Sequence, residues 1–240
     1  MSGAVWLSYS LQDLVMFGPE VFLRLFVRIN QALWPWLLLW PAAALLLPWL
    51  GRQNSEWPRR LAMALAGLAW IGCGYLFLVR YYGPINWPAT GFGWVFVVQG
   101  LFLLMLKGKA LPAPLAWPTV VAWWLVVLVL PWFAVLQAGE MRALALFGVA
   151  PGITVAASVL LFAGQPAPLR WLLLLLPLAW SLFSAATYWA LGTFWLLAYP
   201  GAALVLSVLA LRTNPRPARI PDLRSARPGR GHRSSGSPPG

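Results

Sequence analysis

Between Ala32 and Leu211 the chain repeats one pattern: a long apolar stretch, a short polar or proline-bearing break, then another apolar stretch. About 20 apolar residues at about 1.5 Å rise per residue cross the roughly 30 Å of hydrocarbon in a bilayer. A helix is the form such a stretch must take in lipid, because it pairs all its backbone N–H and C=O groups internally. Stretches of this kind run approximately over Ala32–Leu50, Leu61–Val79, Ala89–Leu106, Trp117–Leu136, Leu144–Ala163, Leu172–Trp189 and Thr193–Leu211. The expected fold class is therefore all-α, a polytopic transmembrane helix bundle of about seven spans. Composition agrees: 61% of the residues are apolar and 9% charged, against about a quarter charged in soluble domains.

Three segments are expected. Residues 1–31 form an N-terminal amphipathic, interfacial segment, residues 32–211 the membrane domain, and residues 212–240 a disordered tail. In the first, Glu20, Arg24 and Arg28 recur every four residues, while Val21, Phe22, Leu25, Phe26 and Ile29 fill the other faces after Pro19. That pattern predicts a helix lying in the interface with its charged stripe toward water. The tail is rich in Pro, Gly, Ser and Arg and too poor in apolar residues to bury a core. Its arginines are expected to associate with anionic lipid headgroups. The fifth stretch is interrupted by Gly148, Pro151 and Gly152, which predicts a broken or short helix there.

The net charge of +12 comes from basic residues that fall between apolar runs, so specific nucleic-acid binding is not expected. Read as topology signals, they separate with seven spans. Arg24, Arg28, Arg80 and Arg142 lie on the N-terminal side, whereas Arg52, Arg59, Arg60, Lys107, Lys109, Arg170 and the tail arginines lie on the other. The excess places the C-terminus in the cytoplasm and the N-terminus outside. No basic start with a short apolar stretch and cleavage site precedes the first span, which is expected to act as the targeting signal.

Chemistry-bearing residues are sparse. The single Cys73 and single His232 leave too few soft ligands for a tetrahedral His/Cys metal site. The five acids, Asp13, Glu20, Glu56, Glu140 and Asp222, are scattered through loops and termini, so a general acid/base pair is not expected and neither is an enzyme. No cofactor motif is present, and no cofactor is expected.

What remains is neutral or aromatic. Pro177, Ser181, Ser184 and Tyr188 form one helical stripe, Thr154 and Ser158 a shorter one, and Gln99 lies well inside the third stretch. These residues either line a small polar cavity or hydrogen-bond between helices. Ala62, Ala66, Ala69 and Cys73 make a small-residue stripe suited to close helix packing. On the N-terminal face, Asn30, Gln31 and Trp34 share a side with Arg80, Tyr81, Tyr82, Asn86, Trp87, Glu140 and Arg142. A guanidinium, carboxamides and aromatics there suit a polar or anionic ligand; the alternative is an interfacial belt with Arg80 snorkelling to headgroups.

Several pieces resemble a known family: DLVMF (Asp13–Phe17), NQALWP (Asn30–Pro35), RYYGPINWPA (Arg80–Ala89), FxxxFxxQG ending at Gln99–Gly100, FGxxP (Phe147–Pro151) with Thr154 following, and PLAW (Pro177–Trp180). The chain resembles the bacterial membrane proteins grouped as "domain of unknown function 6064". A second proline just before the threonine is part of that family's pattern, where this chain has Ile153. The resemblance implies a multi-helix protein of the bacterial inner membrane and supplies no activity. Taken together, the residues lead to two functional expectations. One is a membrane protein that binds a small ligand, a lipid headgroup or a membrane-protein partner at its N-terminal face. The other is a small-solute permease using the neutral polar residues Gln99, Thr154, Ser181, Ser184 and Tyr188.

Overall fold

A computed structural model describes residues 17–106 and 114–212, and all regular structure among them is helical. The tail, the Asp13 end of the DLVMF piece and the Lys107–Lys109 loop lie outside the described residues. The helices are α1 (Pro19–Leu33), α2 (Leu39–Arg52), α3 (Glu56–Gly72), α4 (Trp87–Met105), α5 (Trp117–Val129), α6 (Trp132–Ala138), α7 (Pro151–Phe162), α8 (Ala167–Ala190) and α9 (Ala198–Arg212).

Five helical segments are long and apolar enough to cross a membrane: Glu56–Tyr82, Trp87–Met105, Trp117–Ala138, Ala167–Ala190 and Phe194–Arg212. They correspond to the second, third, fourth, sixth and seventh expected stretches. The first expected span differs. Its helix is bent by 104° against α1 at the break between Leu33 and Trp36, where Pro35 has no N–H to continue the ladder. The fifth is the short helix that Gly148, Pro151 and Gly152 predict: α7 begins only at Pro151 and has 12 residues.

α1 has the two faces its sequence predicts. Glu20, Arg24 and Arg28 are exposed, while Phe22, Leu25, Phe26 and Ile29 are buried. Phe22 meets Phe26, Phe77, Tyr82 and Tyr188, so the apolar face is seated on the bundle by ring contacts. The tryptophans flanking the spans, Trp34, Trp36, Trp49, Trp57, Trp87, Trp117, Trp171 and Trp195, are all exposed. An indole ring prefers the headgroup level, and their positions at helix ends suit that. The deeper Trp70, Trp123 and Trp180 are buried packing residues.

α3 runs on from Gly72 into a π-helical segment, Cys73–Tyr82, and packs antiparallel on α4. The closeness of the pair depends on glycine. A Cβ on Gly67 would stand 2.7 Å from the Gly100 carbonyl oxygen, and one on Gly74 would stand 2.6 Å from that of Gly93. Each partner is seven residues along its own helix, so both contacts fall on one seam. The expected small-residue stripe Ala62, Ala66, Ala69 and Cys73 is fully buried beside it. Where lipid is as apolar as the side chains, such backbone approach is what holds helices together.

α7 is the centre of the bundle. All its residues are buried, enclosed by α3, α5, α8 and α9 and by the π segment. Ahead of it, Leu144–Ala150 runs without a helix and Gly148 takes φ +79°. Only glycine adopts that conformation without strain, and the Trp40 ring lies where its Cβ would be. Thr154 mends the break: its Oγ1 accepts from the Gly148 N–H at 2.9 Å and donates to the Ala150 carbonyl at 2.9 Å.

The glycine seam generates a paired prediction within one helix. Gly93→Ala places a methyl 2.8 Å from the Gly74 carbonyl oxygen and 2.6 Å from Val79 Cγ2, whereas the same change at Gly91 meets nothing within 4 Å. Unfolding in detergent should show Gly93→Ala losing about 1–3 kcal/mol, and Gly91→Ala unchanged or up to about 1 kcal/mol more stable. Equal effects would show that the seam does not constrain the pair.

Candidate functional site

Several of the neutral polar residues inside the bundle make helix-to-helix or local bonds. Ser158 Oγ accepts from Trp70 Nε1 at 2.8 Å, joining α7 to α3. Gln99 Nε2 donates to the Leu173 carbonyl at 3.1 Å, joining α4 to α8. Trp123 Nε1 donates to the Ala44 carbonyl at 2.8 Å, joining α5 to α2. Ser184 Oγ donates to the Ser181 carbonyl at 3.3 Å within α8. Ser184 and Tyr188 face a fissure shared with Phe22, Tyr82, Trp180, Phe183 and Thr187 that has no room for a water molecule. Ser181 is buried with its hydroxyl unpaired. Thus Gln99, Thr154, Ser181, Ser184 and Tyr188, expected on one path, are divided among separate contacts.

The N-terminal face is more open. α1 is tied across it, because Asn30 Nδ2 donates to the carbonyls of Arg142 at 2.7 Å and Leu144 at 2.9 Å. The same end gathers the turn after the π segment, where Asn86 Nδ2 donates to Tyr82 Oη at 2.7 Å. There too the Trp195 N–H donates to Gln137 Oε1 at 3.2 Å. At the opposite end the Leu115 N–H donates to the Gly51 carbonyl at 2.9 Å and Arg52 lies over the Trp117 ring at 5.1 Å.

The residues expected to share one site on the N-terminal face fall into two clefts. The first, of about 530 Å³, is lined by Asn30, Gln31, Trp34, Leu37, Met141, Arg142, Leu144 and Leu146. Asn30 is buried there, its Oδ1 has no partner, and both amide hydrogens are used. The second, of about 630 Å³, lies between α1 and the end of the π segment and includes Arg24, Arg28, Arg80 and Tyr81. Asn86 lines neither cleft, and Trp87 is 79% exposed. Leu144 and Leu146 were not among the expected site residues. No local pattern marks them, since they reach Asn30 only through a chain separation of over a hundred residues. Arg24 and Arg28 were legible as a stripe but not as the wall of a cleft.

Among the described residues no group of three His, Cys, Asp or Glu is placed to hold a metal ion. Comparison with protein-family models, curated proteins and solved structures gives no match, so the family resemblance stands on its motif residues alone.

The Asn30 bridge generates a prediction. Asn30→Leu keeps the side-chain size but leaves two carbonyls without their donor, a loss of about 1–3 kcal/mol at a buried site. Hydrogen exchange should quicken over residues 139–150 and stay unchanged in α4. Unchanged exchange over 139–150 would show that the bridge does not hold this segment.

Proposed function

We propose that the chain is a seven-span protein of the bacterial inner membrane, without enzymatic activity, that binds a small amphipathic ligand at its N-terminal face. In this reading the segment from Leu144 to Ala163 is the fifth crossing, made by a non-helical half that turns at Leu146–Ala150 and is followed by α7. The bent α1–α2 pair supplies the first crossing through its second arm, and α1 lies along the interface. The two ends then hold Arg24, Arg28, Arg80 and Arg142 on one side and Arg52, Arg59, Arg60, Arg170 and Arg212 on the other. With Lys107, Lys109 and the remaining tail arginines the second set is the larger, which favours the N-terminus outside and the C-terminus in the cytoplasm. The family resemblance supports the same bacterial, inner-membrane assignment.

The observation that carries the binding role is the cleft at Asn30. Its volume lies within the few hundred to a thousand Å³ typical of ligand sites. Its walls combine the apolar Leu37, Met141, Leu144 and Leu146 with Arg142 and Trp34. That lining fits an apolar body with one anionic or hydrogen-bonding end. A permease is less well supported, because Gln99 is bonded across to α8 and the fissure beside Ser184 and Tyr188 has no room for a water molecule.

Calorimetric titration of the purified protein with a panel of small amphipathic carboxylates should give saturable binding for at least one member. Leu146→Trp, which fills the cleft, should abolish it without lowering the unfolding temperature. Solute flux through proteoliposomes above the protein-free rate, with binding unaffected by Leu146→Trp, would contradict the proposal.

A further inference from the structure

The second cleft on this face has a different chemistry. Val21, Arg24, Leu25 and Arg28 fall at i, i+3, i+4 and i+7 of α1, so they are one stripe of that helix turned toward Arg80, Tyr81, Pro84 and Ile85. Two arginines come from α1 and the third from the last turn of the π segment, so the cleft exists only when the two elements are packed together. Among the described residues no carboxylate pairs with any of the three arginines, although Glu20 stands one turn before Arg24. Three like charges around one cleft repel one another, and that repulsion is relieved by an anion between them.

The rest of the lining says which kind of anion. Val21, Leu25, Pro84 and Ile85 supply apolar surface in the same cleft as the three arginines, and Tyr81 adds a ring with a polar tip. A free inorganic ion would leave that apolar surface wet, whereas a phospholipid presents a phosphate and an acyl chain a few ångströms apart. α1 also meets the following helix at 104°, which sets the cleft along the membrane boundary when that helix crosses. Guanidinium groups bind phosphate oxygens in a planar, bidentate fashion that a single ammonium group does not reproduce.

We propose that the cleft between α1 and the end of the π segment is a binding site for the phosphate headgroup of an anionic phospholipid, held by Arg24, Arg28 and Arg80 with its acyl chain against Val21, Leu25 and Ile85. The site is separate from the Asn30 cleft. It rests on the membrane reading of the fold but not on the ligand-binding role given to the other pocket, so loss of amphipathic carboxylate binding there leaves this site standing.

The test uses the full-length protein in a neutral detergent, with bound lipid counted by native mass spectrometry during titration. The probes are phosphatidylglycerol, phosphatidylcholine and inorganic phosphate. Phosphatidylglycerol should bind the wild-type protein about a hundredfold more tightly than it binds the combined Arg24→Gln, Arg28→Gln, Arg80→Gln variant, at about fivefold per arginine near an anionic headgroup. Phosphatidylcholine should show little difference between the two proteins. A control with Arg52→Gln, Arg59→Gln and Arg212→Gln removes the same charge elsewhere and should keep the tight site. The corresponding triple lysine variant, which retains the charge without the planar donors, should recover part of the affinity and confirm that the fold survives. Equal loss in the control would overturn the site, as would full retention in the glutamine variant. Displacement of the lipid by millimolar inorganic phosphate would overturn the lipid as its occupant.

Discussion

Backbone N–H and C=O groups buried away from water must be paired, and the packing around α7 follows from that need. An unbroken helix meets it alone, but Leu144–Ala150 is not helical. Non-helical backbone at membrane depth is tolerated only when protein surrounds it. The surrounding helices do so here: Trp40 covers Gly148, Thr154 pairs with both the Gly148 N–H and the Ala150 carbonyl, and α7 contributes no exposed residue. The shortest helix after α6 among the described residues is thus the one with every residue buried.

That arrangement shapes the neighbours. α9 approaches α7 closely enough that a Cβ on Gly152 would stand 2.7 Å from Tyr199 Cβ. α3 reaches it through the Trp70–Ser158 bond, and α3 in turn holds α4 by the Gly67–Gly100 and Gly74–Gly93 approaches. Most of the interior polar residues therefore serve a packed core, and two of the clefts at its surface lie on the N-terminal face. α1 builds both clefts there. It presents Asn30 to one and Arg24 and Arg28 to the other, from adjacent sides of a single amphipathic helix.

Much of the helical layout was legible because its signals are local and periodic. Apolar length marked the five long helices, the four-residue spacing of Glu20, Arg24 and Arg28 marked the exposed side of α1, and Gly148 and Pro151 marked the break. What was not legible depends on contacts between distant segments. The bend after Leu33 shortened the first expected span, since the apolar run passes through Pro35 without any change in hydropathy. The polar stripe of Ser181, Ser184 and Tyr188 had the spacing of a lined cavity, yet bulky Phe22, Trp180 and Phe183 fill the space beside it. The expected single site on the N-terminal face divided in two, because Asn30 is tied to the 142–144 segment and Arg80 is turned toward α1.

In the proposed topology the Leu144–Ala163 segment crosses the membrane despite its break. The most direct measurement is labelling by a membrane-impermeant maleimide of Glu140→Cys and Ala167→Cys, each in a Cys73→Ala background. Both positions are exposed and flank the segment. If the segment crosses, one is labelled only from outside intact cells and the other only after the membrane is opened. Labelling of both from the same side would contradict it.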